Sequence, residues 1–213
     1  MERSTRYLLV VNLQGTQALE GNNEVKKRPE ILQITLVAVD KDNKEIDADQ
    51  FNAIVRPSEI PEDTVLRDAG IKQFKLEIAD DWSGVLKNLE KWLKTKDMLD
   101  SKNFIICADS PMEYETLLQS QSKVSGITIP NYLRKYINIR REFKMAYNTE
   151  KDSHKLNLHL MLEIAKIEPE IMGTVSEANR NISCRDKAFN LALIVKELVK
   201  KEHEFKHVET LYD

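Results

Sequence analysis

The sequence has too few cysteines for a disulfide framework. Of its 213 residues only Cys107 and Cys184 are cysteine, and their placement lacks zinc-ligand spacing. It also lacks any apolar run long enough to cross a bilayer, and Met1 to Arg6 do not have the form of a secretory signal. Charge of one sign is not in excess. A formal net charge of −3 argues against a polyanion binder that works by charge alone. Internal repeats and low-complexity tracts are absent. What remains is 41% hydrophobic and 31% charged residues, the composition of a folded chain rather than a disordered one. The expectation is an α/β domain in a reducing, intracellular compartment, cytoplasmic or nuclear.

The apolar run Tyr7 to Leu13 suits a strand covered on both faces. Gly15 to Arg28 is polar and reads as a loop. Ile31 to Val39 is a second strand, and a turn at Asp40 to Lys44 leads to a third around Phe51 to Val55. Pro57 and Pro61 then break the sheet. From Glu62 the pattern turns helical, most clearly where Trp82, Val85, Leu86, Leu89, Trp92 and Leu93 recur at helical spacing. Asn103 to Cys107 reads as a fourth, buried strand, and the segment after Pro111 is helical again. Pro130 to Tyr147 is mixed and basic. Leu156 to Ile164 and Asp186 to Lys201 carry amphipathic helical patterns. This order describes one domain over 1–213, with a core at about 6–201 and a polar tail at 202–213.

Several short signatures, in order, resemble those of the DEDDh 3′–5′ exonucleases, in particular the branch of Eri-1 and the histone-mRNA 3′-exonucleases. They are Pro29-Glu30-Ile31, Val55-Arg56-Pro57, Ala69-Gly70-Ile71 followed by Gln73, Ile137-Asn138-Ile139-Arg140, and Met161-Leu162-Glu163. The resemblance runs from about Tyr7 to about Leu198. It implies a ribonuclease H-like α/β fold, a mixed central sheet flanked by helices.

Enzymes of that family hold two divalent metals, Mg²⁺ or Mn²⁺, with four carboxylates, and use a histidine as general base. The corresponding positions here differ. The Asp-x-Glu motif reads Asn12-Leu13-Gln14, with both charges removed. The second motif aligns with Met112-Glu113. In the last motif, anchoring on Asn190 places Lys187 at the aspartate and Ile182 at the histidine. Hard cations need anionic oxygens, so the resemblance implies loss of the metal site, no cofactor, and a protein that is not an enzyme. Glu113 is expected to pair with Lys187. Two nearby acids bear on this: Asp186 is one residue from the expected position, so a one-residue slip would restore an aspartate to the last motif, and Asp109 lies four residues before Glu113.

Other motifs admit plainer readings. His203-Glu204-Phe205-Lys206-His207 matches the zincin pattern, but it lies in the polar tail, where solvent-facing side chains are ordinary. Arg134, Lys135, Arg140, Arg141 and Lys144, interleaved with Tyr132, Tyr136, Phe143 and Tyr147, offer a nucleic-acid surface or a solvated basic face over core aromatics. Asp40 to Asn43 starts like a calcium loop, but Glu45 stands where the loop glycine belongs; a hairpin turn explains it. Cys107 suits a buried thiol, and Trp82 and Trp92 the core or an interface.

Three functions are compatible with this reading. The first is an inactive exonuclease-like scaffold with protein partners in an RNA-processing or small-RNA silencing pathway, and with no membrane and no DNA partner. The second is a module that holds an RNA 3′ end. The third is a 3′–5′ exoribonuclease with an altered metal site, dependent on Glu113.

Overall fold

A computed structural model describes residues 5–16, 28–171 and 183–212. Among these lie seven strands and nine α-helices. The strands are β1 (Tyr7–Gly15), β2 (Ile31–Asp40), β3 (Glu45–Ile46), β4 (Phe51–Ile54), β5 (Phe104–Ala108), β6 (Lys135–Asn138) and β7 (Val208–Thr210). The helices are α1 (Asp63–Ala69), α2 (Gln73–Glu77), α3 (Trp82–Thr95), α4 (Met98–Ser101), α5 (Pro111–Ser125), α6 (Asn131–Arg134), α7 (Ile139–Ala146), α8 (Leu158–Ala165) and α9 (Cys184–Lys200).

The strands form one mixed sheet in the order β3-β2-β1-β5-β6-β7, with β4 also on β2. β1 is its hub. It runs antiparallel to β2, in a register that sets Asn12 beside Thr35, and parallel to β5, with Val11 opposite Ala108. Because strand side chains alternate between faces, β1 divides its residues between two cores. Leu9, Val11 and Leu13 pack with Trp82, Leu89 and Leu117 of α3 and α5. Leu8 and Val10 pack with Leu191, Ile194 and Leu198 of α9. Asn12 shares the phase of Leu8 and Val10 and so faces α9. The sheet covered by helices on both faces is the α/β architecture that the sequence implied.

At the end of β1 the register shifts between Gln14 and Gly15. A side chain on Gly15 would lie 2.8 Å from the Glu30 carbonyl and would strike Leu117, so only glycine permits this close approach. The helix ends nearby are capped. Pro111 stands in the first turn of α5, where its missing N–H costs nothing. On α9, Ser183 Oγ accepts from the Asp186 amide at 3.1 Å and donates to Asp186 Oδ2 at 2.7 Å.

Several expectations are refined. The mixed segment resolves into α6, β6 and α7. Asp40 forms a turn, accepting from the amides of Asp42 and Asn43 and pairing with Arg6 at 2.7 Å. Trp82 is a core residue, whereas the Trp92 indole donates to Asp49 at 3.1 Å. Cys107 is buried in the sheet. The expected polar tail is incorrect for the described residues 202–212. They return to the sheet as β7, antiparallel to β6, and bury Leu211 against the α3–α5 core. Most of the expected loop from Gly15 to Arg28 lies outside the described residues.

Candidate functional site

In open α/β sheets, ligand sites form beyond the carboxyl ends of parallel strands. Here β1 and β5 end side by side, and a small pocket opens between Asn12, Asp109, Ser110, Glu113 and Tyr114. β1 supplies Asn12, the end of β5 supplies Asp109, and the first turn of α5 supplies Glu113. The first turn of α9 brings in Lys187, and the first turn of α7 brings in Arg140.

Asn12 is buried. Its Nδ2 donates to the Cys184 carbonyl at 3.3 Å and lies 3.1 Å from Cys184 Sγ. The amide is therefore committed to anchoring the start of α9 on β1. Burial holds the Cys184 thiol above its usual range, opposed by contacts from Thr35 and Asn12 and by the charge of Lys187. It stays a neutral thiol. Gln14 Oε1 is buried without a hydrogen-bond partner among the described residues.

Asp109 is also buried, and Arg140 grips it in a fork. Nε and Nη2 each donate to a different carboxylate oxygen at 2.8 Å. Such bidentate pairs are among the strongest and most directional in proteins. The Asp109 carboxylate correspondingly raises the pKa of the Arg140 guanidinium above its ordinary value. Lys187 Nζ lies 3.7 Å from Glu113 Oε2 and 3.9 Å from Asp109 Oδ2, too long for hydrogen bonds. Glu113 is half exposed and is the carboxylate of this cluster that solvent reaches.

The structure thus brings Asn12, Glu113 and Lys187 together. Ile182 lies outside the described residues. Asp186 does not supply a free ligand, because its carboxylate takes part in the α9 cap. Asn190 holds the residues after α8 to α9: its Oδ1 accepts from the Glu170 amide and its Nδ2 donates to the Glu170 carbonyl.

The five basic candidates do not form one phosphate-binding strip. Arg140 turns into the pocket. Arg141 pairs with Glu209 at 2.9 Å and donates to the His207 carbonyl. Arg134 donates to the Ile129 carbonyl, while Lys135 is exposed and Lys144 partly so. The aromatics among them are structural: Tyr136 and Phe143 are buried, and Phe143 stacks on Tyr147 at 4.3 Å.

The His-Glu-x-x-His stretch is not helical. His203 and His207 both turn toward Glu142 of α7, which is completely buried, at 2.7 and 3.1 Å. This is a clamp holding the 202–212 segment. Sequence reasoning missed it, as it missed the Asp109–Arg140 fork. The available signal for the fork was an acid at a strand end, just before the Ser-Pro that starts a helix.

A pair of divalent cations does not fit this donor set. Asn12 and Gln14 bring neutral amides, both oxygens of Asp109 are engaged by Arg140, and Lys187 adds a positive charge. Among the described residues no group of three or more His, Cys, Asp or Glu is arranged to hold a metal ion. Nor is any described helix long and apolar enough to cross a membrane.

Comparison with known proteins shows the family and the fold. The RNase_T exonuclease family model matches residues 15–168. The chain is 27% identical over 157 residues to the rat 3′-5′ exoribonuclease 1, covering 72% of this chain and 44% of that protein. It therefore spans less than half of that relative's length. The nuclease domain of 3′hExo, a DEDDh family member bound to rAMP, superposes with a TM-score of 0.81 at 22% identity, over 97% of this chain and 98% of that one. A 3′-exonuclease that recognises the 3′ end of the histone mRNA stem-loop superposes with a TM-score of 0.80 at 22% identity, over 100% and 93%. The fold is thus the ribonuclease H-like fold of DEDDh exonucleases.

These matches correct the expectation that the chain is not an enzyme. The family is one of exonucleases, and the rat relative is named an exoribonuclease. The residues at Asn12, Gln14 and Lys187 do not by themselves establish a loss of activity.

Proposed function

Because the chain belongs to the RNase_T exonuclease family, we propose that it acts on RNA 3′ ends as a 3′–5′ exoribonuclease whose pocket departs from a two-metal donor set. The observation that carries this reading is the position of Glu113. It is a half-exposed carboxylate beside the parallel strand ends β1 and β5, within 3.7 Å of a cation. RNA as the substrate class follows from the relatives, one named an exoribonuclease and another described with an mRNA stem-loop. Glu113 is the carboxylate this reading relies on, because Asn12 and Gln14 are neutral amides and Asp109 is held by Arg140.

The test is a 5′-labelled single-stranded RNA incubated with the purified chain in Mg²⁺, Mn²⁺ or EDTA, following both binding and length. The expected result is stepwise shortening from the 3′ end that Glu113→Ala abolishes. An RNA that stays full length with either metal, at enzyme in excess over substrate, would reject cleavage.

A further inference from the structure

The misfit between this pocket and a metal pair has a regular form. Four carboxylates with two divalent cations sum to zero charge. In this chain the pocket reaches the same balance with its own side chains, as Asp109 and Glu113 face Arg140 and Lys187 across neutral Asn12. The two cations are not equivalent. Arg140 is locked, with both donors of its fork at 2.8 Å from Asp109. Lys187 is partly exposed, its carboxylate neighbours stand at 3.7 and 3.9 Å, and no acceptor among the described residues lies within hydrogen-bond distance of its ammonium. An ammonium carries three N–H donors, so these are free to meet an anionic oxygen entering the pocket.

We propose that Lys187 is the phosphate-binding group of this pocket, so that the chain grips the terminal phosphodiester of an RNA 3′ end without a divalent cation. This rests on the reading that the chain engages RNA 3′ ends, and it replaces metal–phosphate coordination with a charge-assisted hydrogen bond. Glu113, which shares the ammonium with the incoming phosphate, is its internal competitor.

Fluorescence anisotropy with a labelled single-stranded RNA tests this, comparing EDTA with Mg²⁺ and titrating salt. Wild-type affinity should agree within about twofold between the two conditions. Lys187→Gln should weaken binding about tenfold or more, in the range for a hydrogen bond to a charged group. It should also lower the salt slope by about 0.7, the value for one phosphate on a single strand. Lys187→Arg should restore most of the affinity. Glu113→Gln should tighten binding, an opposite sign that a general loss of folding cannot mimic. Binding that requires Mg²⁺, or that Lys187→Gln leaves unchanged, overturns this proposal and leaves RNA 3′-end engagement standing. Absence of RNA binding by wild type in both conditions overturns both.

Discussion

Consecutive residues of α7 serve two charge clusters built in opposite ways. Arg140 enters the pocket, whereas Arg141 and Glu142 meet the returning 202–212 segment. At the clamp, Glu142 is fully buried and touches His203 and His207 at 2.7 and 3.1 Å, with Arg141 at 3.9 Å. At the pocket, Lys187 is partly exposed and its carboxylate neighbours lie beyond hydrogen-bond range. Tight, dry pairs hold elements in place, because removing one partner strands the other in a medium that cannot solvate it. Loose, wetted pairs exchange partners at little cost. Proximity of charges alone therefore does not mark a binding site.

The broadest challenge to both regions is alkaline pH. Burial raises the pKa of Tyr136, near the clamp, and its hydrogen bonds to Glu115 and Glu209 add to that rise. Burial likewise raises the pKa of Tyr114, on the pocket wall. A phenol whose folded pKa exceeds its unfolded value stabilises the fold fully below the unfolded value, about 10. That contribution is lost as pH climbs above it. The circular dichroism should therefore be lost as the last tyrosines ionise, above roughly pH 10. Ionisation of all six tyrosines with the fold intact would show that these rings are not the linkage.

A narrower test separates the clusters. Glu142→Ala leaves His203 and His207 without their carboxylate, while Arg141 keeps Glu209, and should cost about 3 kcal/mol or more. For a domain of this size the melting temperature should fall by roughly 6–12 °C, with earlier proteolysis within 202–212. A melting temperature within a degree of wild type would show that the clamp contributes nothing. The smallest effect belongs to the pocket wall. Asn12→Asp sets a carboxylate oxygen against the Cys184 carbonyl in place of a donor, and should cost about 1–3 kcal/mol in EDTA. Unchanged stability in EDTA would mean that the Asn12 amide does not anchor α9.

The parts legible in the sequence were those with a long, regular pattern. β1 and β2 showed as apolar runs because both faces are covered, and α3 and α9 showed through helical repeats. β6 and β7 did not, since strands of four and three residues carry too little pattern and depend on a partner far along the chain. The pocket was half legible. The resemblance to the exonuclease motifs pointed to Asn12, Glu113 and Lys187, but not to Arg140 closing on Asp109, a contact thirty-one residues apart that no local spacing encodes. His203 and His207 read as solvated because their neighbours are polar; the buried acid that draws them in belongs to another element.

The position of β1 at the centre of the sheet bears on how the chain reaches this state. Among the described strands β1 is synthesised before the partner it pairs with in parallel, Tyr7 beside Phe104, which follows much later. The edge of β6 is covered only when Val208–Thr210 arrive. Pairings of such long range form slowly, and an open strand edge is a template for the wrong neighbour. Vectorial synthesis thus leaves the half-built sheet with an unpaired flank until β7 docks, which makes that interval one in which a chaperone would improve the yield of native protein.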